Sequence, residues 1–450
     1  SFSSVATPLT GDDEPDLVIS SPDDYFWRGA VYLLPTEHLA TSDVLDGLGD
    51  SEVDYVRCVQ NNDCIMVHGE SEDQGLGYST EILHDFFGED VSALLISSLL
   101  SQPRQGNRED IGAAYIVSLD AINQTLENSA DTKLSLDEVL TQENVLTIYP
   151  EQTAFQDGVV GTIGHRIADF NQDGADDFVL SQPDSDLVYV IQSDTLNTAD
   201  AQDDTEDGLI DLGPLYRQPG SYKIEGFNHL TQSSHGSLPF GQAFDGSATH
   251  YLTFSDRSDS FLVDVDSLGS LDSADGTTDS VITEINPNAG SGIWAFPRTQ
   301  NLVVCRDAEN NGSGRLLVSE AAPTDDFIAR NVSVYSVGLD KLHDLDAADG
   351  VSDGTVKLKN TLRQSIEGQW TITLGSFQDE LLSGLTIGCA GDMDQDGQLD
   401  YIVTIKQSDR ITDTYRTMVF LLMGQDFRLI DEMDGSSDHR LDISNLWPEN

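Results

Sequence analysis

Positive charge is scarce in this sequence. Lysine and arginine together number 22 among 450 residues, against 79 aspartates and glutamates, which gives a formal net charge of −57. Proteins that bind nucleic acid or anionic membrane surfaces neutralise phosphate with patches of lysine and arginine. We therefore expect no nucleic-acid partner and no binding to an anionic membrane.

Long apolar runs and helical periodicity are also missing. A membrane helix needs roughly 18 or more consecutive apolar residues, and the longest candidate, "VSALLISSLL" at 91–100, contains three serines. We expect no membrane insertion, and because no signal peptide opens the chain we expect a mature product. Short β-branched runs bounded by Gly, Asp, Asn and Pro predict an all-β fold instead.

Cysteine is rare, and its spacing excludes the common zinc and redox motifs. No two of Cys58, Cys64, Cys305 and Cys389 are separated by two residues. The even number fits an oxidising compartment, which predicts an extracellular or cell-surface location. Cys58 and Cys64 flank "VQNND", which reads as a hairpin tip, so we predict a local disulfide there.

What the sequence has in abundance is aspartate, which accounts for 58 of the 79 acidic residues. Such charge density repels itself unless cations neutralise it. Specific divalent-cation sites and life in salty surroundings both explain the composition. A disordered acidic chain is disfavoured, because 38% of the residues are hydrophobic.

Three cues repeat in fixed order along the chain: a glycine/aromatic opening, an apolar strand ending in turn residues, and a strand with an aromatic residue among aliphatics. They divide the chain into six modules, at 1–64, 65–150, 151–213, 214–288, 289–378 and 379–450. Aspartate-rich linkers such as "LDSADGTTDSVITEI" and "LDAADGVSDGTVKLK" end in alternating segments, which we expect to supply a fourth, outer strand. Repeated four-stranded units predict one β-propeller domain of antiparallel blades, with a row of sandwiches as the rival.

The order of "DLVISSP", "GAVYLL" and the Asp-rich loops resembles the FG-GAP repeat of integrin α-chains and many bacterial surface proteins. The resemblance covers nearly the whole chain and is closest in modules one, three and six. It implies an extracellular β-propeller, in a family that usually has seven blades. Six modules are counted, so a seventh blade would have to lie in a degraded stretch such as "LRQSIEGQWTITLGSF".

Two loops carry alternating acidic or amide side chains, then a glycine, then a strand. Their candidate ligands are Asp169, Asn171, Asp173, Ala175 and Asp177 in the first, and Asp392, Asp394, Asp396, Gln398 and Asp400 in the second. Calcium prefers six to eight oxygen ligands, and alternate residues of a tight loop can point inward with a carbonyl at the seventh position. Both loops match the FG-GAP calcium pattern D-x-[DN]-x-D-G-x-x-D, which implies about two calcium ions. An EF-hand is disfavoured, because a strand begins at the ninth position.

The remaining modules depart from this pattern. In module five, Asp307, Glu309 and Asn311 have the right spacing, but Arg315 stands at the ninth position. We predict that its guanidinium pairs with Asp307 and Glu309 and replaces the cation. Module one keeps only Asp12 and Asp16.

Several weaker motifs favour structural interpretations. "DRSDS" at Asp256–Ser260 resembles a metal-dependent adhesion site, and "GVSDG" at Gly350–Gly354 resembles a nucleophile elbow, but both fall in predicted turns or linkers. We expect His165 to be a core or channel-lining residue. The glycosylation sequons at Asn123, Asn311 and Asn331 are weak signals.

Cys305 and Cys389 occupy similar places in modules five and six, just before the acidic loops. In a propeller these places lie on the inner strands of neighbouring blades. A disulfide between adjacent blades is therefore expected, with two buried thiols as the alternative.

The leading functional hypothesis is a non-enzymatic extracellular calcium-binding propeller that mediates adhesion or binds a protein or glycan through loops on one face. The second is a structural subunit of a surface layer or filament, assembled by propeller contacts or strand exchange. The third is a carbohydrate-active enzyme, which would require a basic or histidine-rich cleft that the sequence does not indicate.

Overall fold

The structure is a computed structural model of the chain. It describes residues 2–4, 17–22, 28–35, 38, 55–71, 74–88, 91–98, 112–129, 131–149, 163–167, 169–182, 187–202, 208–225, 251–255, 259–274, 276–288, 292–297, 301–305, 315–321, 332–348, 350–356, 370–373, 381–391, 400–409, 414–422 and 440–442.

The chain forms two compact units. The first comprises residues 1–226 and 277–282, and the second comprises residues 227–276 and 283–450. None of the helices in the described ranges is long and apolar enough to cross a membrane.

Strands make up most of the described secondary structure, and they are numbered in chain order. They are β1 (Phe2–Ser4), β2 (Leu17–Ser21), β3 (Ala30–Leu34), β4 (Ile65–His68), β5 (Leu76–Leu83), β6 (Ala93–Ser98), β7 (Ala113–Ser118), β8 (Lys133–Ser135), β9 (Val145–Tyr149), β10 (Ile163–Ile167), β11 (Asp177–Gln182), β12 (Leu187–Ile191), β13 (Leu209–Asp211), β14 (Tyr222–Glu225), β15 (Tyr251–Ser255), β16 (Asp259–Asp264), β17 (Val281–Ile282), β18 (Ile293–Pro297), β19 (Asn301–Cys305), β20 (Arg315–Ala321), β21 (Val332–Gly338), β22 (Trp370–Thr373), β23 (Leu381–Gly391), β24 (Asp400–Asp409), β25 (Thr414–Leu422) and β26 (Arg440–Asp442).

Short helices lie between the strands. They are α1 (Tyr55–Gln60), α2 (Leu119–Asn128), α3 (Leu136–Val139), α4 (Thr195–Gln202), α5 (Leu212–Leu215), α6 (Leu268–Ala274) and α7 (Leu342–Ala347). Single 3-10 turns at Val265–Ser267 and Leu339–Lys341 lead into α6 and α7.

The described strands form six small sheets. In the first unit, sheet 1 has the order β1-β2-β3-β4-β8, sheet 2 has β5-β6-β7-β9-β13, and sheet 3 has β10-β11-β12-β14-β17. In the second unit, sheet 4 has β15-β16-β18, sheet 5 has β19-β20-β21-β22-β26, and sheet 6 has β23-β24-β25. Within each sheet the pairs are antiparallel, except for the last pair of sheets 1, 2, 3 and 5, which is parallel. The predicted all-β class of small, mainly antiparallel sheets is therefore confirmed.

The linker strands do not lie where the sequence predicts them. In sheets 1, 2, 3 and 5 the outermost strand comes from the following module, and it runs parallel to its neighbour. Near sheet 4, an isolated parallel bridge joins Ala295 to Thr355 in the linker "LDAADGVSDGTVKLK". The linkers supply an outer strand as expected, but in sheets 2, 3 and 5 it is the fifth strand and not the fourth. Parallel pairing requires a crossover, and the helical linkers provide the length to reach the preceding sheet.

The insert proposed to hide a seventh blade contributes a strand to a sheet already counted. Its described part is β22, which pairs with β21 and is the fourth strand of sheet 5. Similarly "GIWAFP", expected to open module five, forms β18 and pairs with β16 in sheet 4.

Aspartate side chains shape the turns that lead into β8, β17 and the bridge at Thr355. Each accepts a hydrogen bond from the backbone N–H two residues later: Lys133 to Asp131 at 2.9 Å, Val281 to Asp279 at 3.2 Å, and Thr355 to Asp353 at 2.9 Å. Such side-chain turns are a common use of aspartate in loops. Some of the many aspartates therefore serve as hydrogen-bond acceptors for backbone N–H groups.

The linker helices were not expected, because their apolar spacing is too short to show a period. Helix α2 begins after Ser118, whose hydroxyl accepts the Ala121 N–H at 3.0 Å. Helix α3 begins with a capping box between Ser135 and Glu138. Both caps satisfy backbone donors that the first helical turn leaves unpaired.

Cys58 and Cys64 form a disulfide with a Cα–Cα distance of 5.3 Å. Its setting differs from the expected hairpin tip, because Cys58 lies within helix α1 and Cys64 directly precedes β4. The bridge therefore fastens a linker helix to the fourth strand of sheet 1.

Sheets 2 and 3 pack through their first strands. Strand β10 contacts β5 and β6, and the Gly164 N–H donates to the hydroxyls of Ser79 at 2.9 Å and Ser97 at 2.8 Å. A Cβ at position 164 would lie 2.8 Å from the Leu95 side chain. Every residue of β6, β7 and β11 is buried, so both faces of these strands are covered.

Replacing Gly164 with alanine tests this contact. The added methyl group would force Leu95 and the two strands apart, and we expect a loss of about 1–3 kcal/mol in the free energy of unfolding, measured by urea denaturation. Gly338→Ala is the control, because a Cβ there first meets only the flexible Asp340 side chain. Equal stability of the two variants would contradict the tight packing.

Candidate metal loop

The first acidic loop joins β10 to β11, the first two strands of sheet 3. Its ninth residue, Asp177, begins β11, and Asp400 of the second loop likewise begins β24. Asp392, Asp394, Asp396 and Gln398 lie outside the described residues. The geometry of the candidate site therefore comes from the loop in sheet 3.

Side-chain oxygens of this loop converge on its own backbone. The Asp173 N–H donates to Asp169 Oδ1 at 2.9 Å and to Asn171 Oδ1 at 3.0 Å. The Gly174 N–H donates to Asp169 Oδ2 at 2.9 Å, and the Ala175 N–H donates to Asp173 Oδ1 at 2.9 Å. Gly174 has φ +99°, a conformation that glycine adopts without strain. The loop is thus a tight turn lined by oxygen atoms.

Asp177 forms the floor of this turn. Its carboxylate is fully buried and accepts the Phe170 N–H at 3.1 Å and the Ser193 N–H at 2.9 Å. Burial raises the pKa of Asp177 to about 7, against the lowering effect of backbone hydrogen bonds from Ser193, Phe170 and Asn171, and the charge of Asp173 adds to the rise. At a pH near 7, both the protonated and the ionised form of the buried Asp177 carboxyl group are therefore populated.

Negative charge around the turn is not neutralised by side chains. Burial, and then the charge of Asp173, raise the pKa of Asp194, which follows β12. Among the described residues, no lysine or arginine pairs with Asp169, Asp173 or Asp177; Arg166 pairs with Asp176 instead. A cation in the turn would relieve this repulsion.

The donor set of the loop fits calcium in kind. The carboxylates of Asp169, Asp173 and Asp177, the Asn171 amide oxygen and the Ala175 carbonyl are all oxygen donors, which a hard cation prefers. In the part of the chain that the structure describes, no group of three or more His, Cys, Asp or Glu is arranged to hold a metal ion. The loop oxygens instead accept backbone N–H groups.

Asp176 connects this loop to Arg166 of β10 and to His84, the residue that follows β5 of sheet 2. The Asp176 carboxylate accepts two hydrogen bonds from Arg166, at 2.5 and 2.9 Å, and one from the His84 N–H at 2.6 Å. The Asp176 N–H donates to the His84 carbonyl at 3.1 Å. Burial, and then the Arg166 charge, lower the pKa of His84. Charge-assisted, bidentate contacts of this kind fix geometry strongly.

Sequence reasoning missed Asp176, His84, Arg166 and Ser193. Asp176 is hidden in the run "GADD", and its partner His84 is distant in sequence. One feature of the sequence could have indicated the contact with Asp176: Arg166 is one of few basic residues and lies just before the acidic loop.

The other predicted residues lie apart from this loop. His165 on β10 has its Nδ1 3.2 Å from Glu81 Oε1 on β5. Arg315 begins β20 and donates to the Ser336 hydroxyl at 2.9 Å. Asp307, Glu309 and Asn311 fall outside the described residues, so the cation-replacing pair stays a prediction.

Two of the remaining motifs can be placed. "GVSDG" lies between helix α7 and the bridge at Thr355, so it does not lead from a strand into a helix as an elbow requires. "DRSDS" separates β15 from β16, and its first three residues lie outside the described ranges. Cys305 and Cys389 lie on β19 and β23, which contact each other; their disulfide stays a prediction.

Comparison with known proteins adds little. No protein-family model matches the chain. No curated protein matches it either. Among solved structures, the chain is similar to the WD40 domain of SCAP from fission yeast, with a TM-score of 0.30, 9% identity, and coverage of 91% of this chain and 72% of that one. A WD40 domain is a β-propeller, but a likeness this weak carries no argument, and the FG-GAP assignment stays a prediction.

The pKa of Asp177 predicts how the metal-free protein responds to pH. The folded-state value of about 7 lies above the ordinary 3.8, so the folded protein binds this proton more tightly than the unfolded chain. The contribution of Asp177 to the free energy of unfolding is therefore greatest at low pH and falls as the pH rises from about 4 to 7. Urea denaturation in chelator should show wild type losing stability relative to Asp177→Asn over this range.

Asp120→Asn, at an exposed aspartate outside the loop, serves as the control. If the free energy of unfolding changes with pH equally in wild type and Asp177→Asn, Asp177 is not the group responsible for the loss of stability.

Proposed function

We propose that the loop from Asp169 to Asp177 binds a calcium ion that braces a non-enzymatic β-propeller of the FG-GAP type. We further propose that the protein acts outside the cell by binding a protein or glycan ligand. The observation that carries the metal proposal is the tight turn of oxygen donors above the buried Asp177, with no basic side chain among the described residues to neutralise it.

Five residues would hold the ion: Asp169, Asn171, Asp173, Ala175 through its carbonyl, and Asp177. Calcium would supply positive charge and a flexible oxygen shell of six to eight ligands. The carboxylates of Asp169 and Asp173 now accept backbone N–H groups, and each retains lone pairs for a cation. Removing a proton from Asp177 would be part of binding.

The second loop supports a second ion. Asp392, Asp394, Asp396, Gln398 and Asp400 repeat the pattern of the first loop, and Asp400 opens its strand as Asp177 does. We therefore propose about two calcium ions per chain.

The contacts of Asp176 suggest what the ion does. Asp176 lies beside Asp177 and joins the loop to His84, which directly follows β5 of sheet 2. A calcium-braced loop would therefore hold the junction between two sheets and present neighbouring loops in fixed positions. Binding residues often lie on loops supported by a rigid scaffold in this way.

The disulfide between Cys58 and Cys64 supports the proposed location outside the cell, because such bonds persist in oxidising compartments. The ligand at the loop face would be a protein or a glycan. The carbohydrate-active enzyme of the third hypothesis gains no support from the described residues.

A second candidate function is a structural subunit of a surface layer or filament. The observation in its favour is that β13, β17 and β26 complete the sheets of preceding modules. The same parallel pairing between chains would join one molecule to the next and produce a polymer.

Asp173→Ala tests the metal site. Because Asp173 lies at the centre of the loop, we expect the variant to lose one calcium ion and to melt several degrees below wild type in calcium. In chelator the two proteins should melt at similar temperatures, as measured by calorimetry. An equal decrease in both conditions would assign Asp173 a purely structural role.

Light scattering on a size-exclusion column separates the two candidate functions. A monomer in calcium supports the binding module, whereas a large assembly that dissociates in chelator supports the structural subunit. The binding module is contradicted if calcium drives the whole sample into polymers.

A further inference from the structure

Ser193 lies against the acidic loop but is not part of its sequence motif. It follows strand β12, and its N–H donates to Asp177 Oδ1 at 2.9 Å. The residue is 7% exposed, and its hydroxyl has no hydrogen-bond partner in the described structure. A buried hydroxyl without a partner costs free energy, so its presence beside the loop requires an explanation.

The same position is apolar in three of the modules that lack the complete acidic pattern, whereas in module one, counted from Tyr32, it is Thr36. Counting four residues from the aromatic side chain of the third strand gives Leu119 after Tyr115, Ser193 after Tyr189, Val265 after Phe261, and Leu339 after Tyr335. Leu119 and Leu339 pack against hydrophobic clusters, and Val265 is buried. Ser193 thus places a hydroxyl beside a full acidic loop, where modules two, four and five have an apolar side chain.

The second acidic module departs from the apolar pattern as well. Counting from Phe420 gives Gly424, which lies outside the described residues. Neither acidic module places a bulky apolar side chain at this position. A bulky side chain here would bring hydrocarbon to the ninth carboxylate, where a cation requires oxygen.

We propose that the hydroxyl oxygen of Ser193 is an additional ligand of the calcium ion held by the Asp169–Asp177 loop. This proposal rests on the proposed function of that loop. The five loop residues leave room for further oxygen atoms in a shell of six to eight. Ser193 would occupy a place otherwise taken by water, and because it is neutral it would strengthen binding without adding to the repulsion between carboxylates.

A structural role for Ser193 makes a different prediction. If the hydroxyl rotates to donate to Asp177, it would stabilise the metal-free protein, and its removal would lower stability in chelator. If it is a metal ligand, its removal would weaken calcium binding and leave the metal-free stability unchanged or higher, because an unpartnered buried hydroxyl is lost.

The test uses the full chain with Asp396→Ala, so that only the first loop can bind, and titrates calcium by calorimetry. Adding Ser193→Ala should weaken affinity about tenfold or more, while Ser193→Thr, which keeps a hydroxyl, should bind like the parent. Ser98→Ala, at a buried serine of sheet 2 whose hydroxyl donates to the Gln74 carbonyl, should not change affinity. Thermal stability in chelator should be no lower for Ser193→Ala than for the parent.

Calcium affinity of Ser193→Ala equal to that of the parent would overturn the proposal, as would a loss of stability in chelator without a change in affinity. If the parent with Asp396→Ala binds no calcium, the proposed function of the loop fails first and the role of Ser193 fails with it. The two failures are distinguished by the parent's own titration.

Discussion

Uncompensated negative charge is the constraint on which this structure depends. With a net charge of −57, most carboxylates have no lysine or arginine to pair with. The chain satisfies some of them with backbone N–H groups, as at Asp131, Asp279 and Asp353, where the side chain shapes a turn. In the Asp169–Asp177 loop the charge of Asp173 acts on Asp177 and Asp194, and we propose a cation as the counter-charge.

The second organising feature is the return of each linker to the preceding sheet. Strand β13 comes from one module and pairs with a strand of the preceding module, so successive modules share backbone hydrogen bonds within one sheet. Within the first unit, close packing at Gly164 and the clasp between Asp176 and His84 add two further connections between sheets 2 and 3. The acidic loop and the sheet junction are therefore parts of one local structure.

Features set by local sequence were predictable, and features set by distant partners were not. The β-branched run "DLVIS" and the aromatic-containing "AVYLL" predict β2 and β3, and the alternating oxygen donors predict a tight turn from Asp169. The parallel pairing of β17 with β14 depends on where the helical linker returns, which no local period records. The contacts of Asp176 and the environment of Ser193 depend on residues from other strands. The linker helices are too short to show a helical period in the sequence.

The most direct test is the number of calcium ions bound by the metal-stripped wild-type protein, counted by equilibrium dialysis and elemental analysis at neutral pH and moderate salt. A stoichiometry of about two, saturating with calcium and unaffected by added monovalent salt, is the predicted result. Protein that binds no calcium under these conditions would contradict the account. The acidic loops would then be turns stabilised by their own backbone hydrogen bonds.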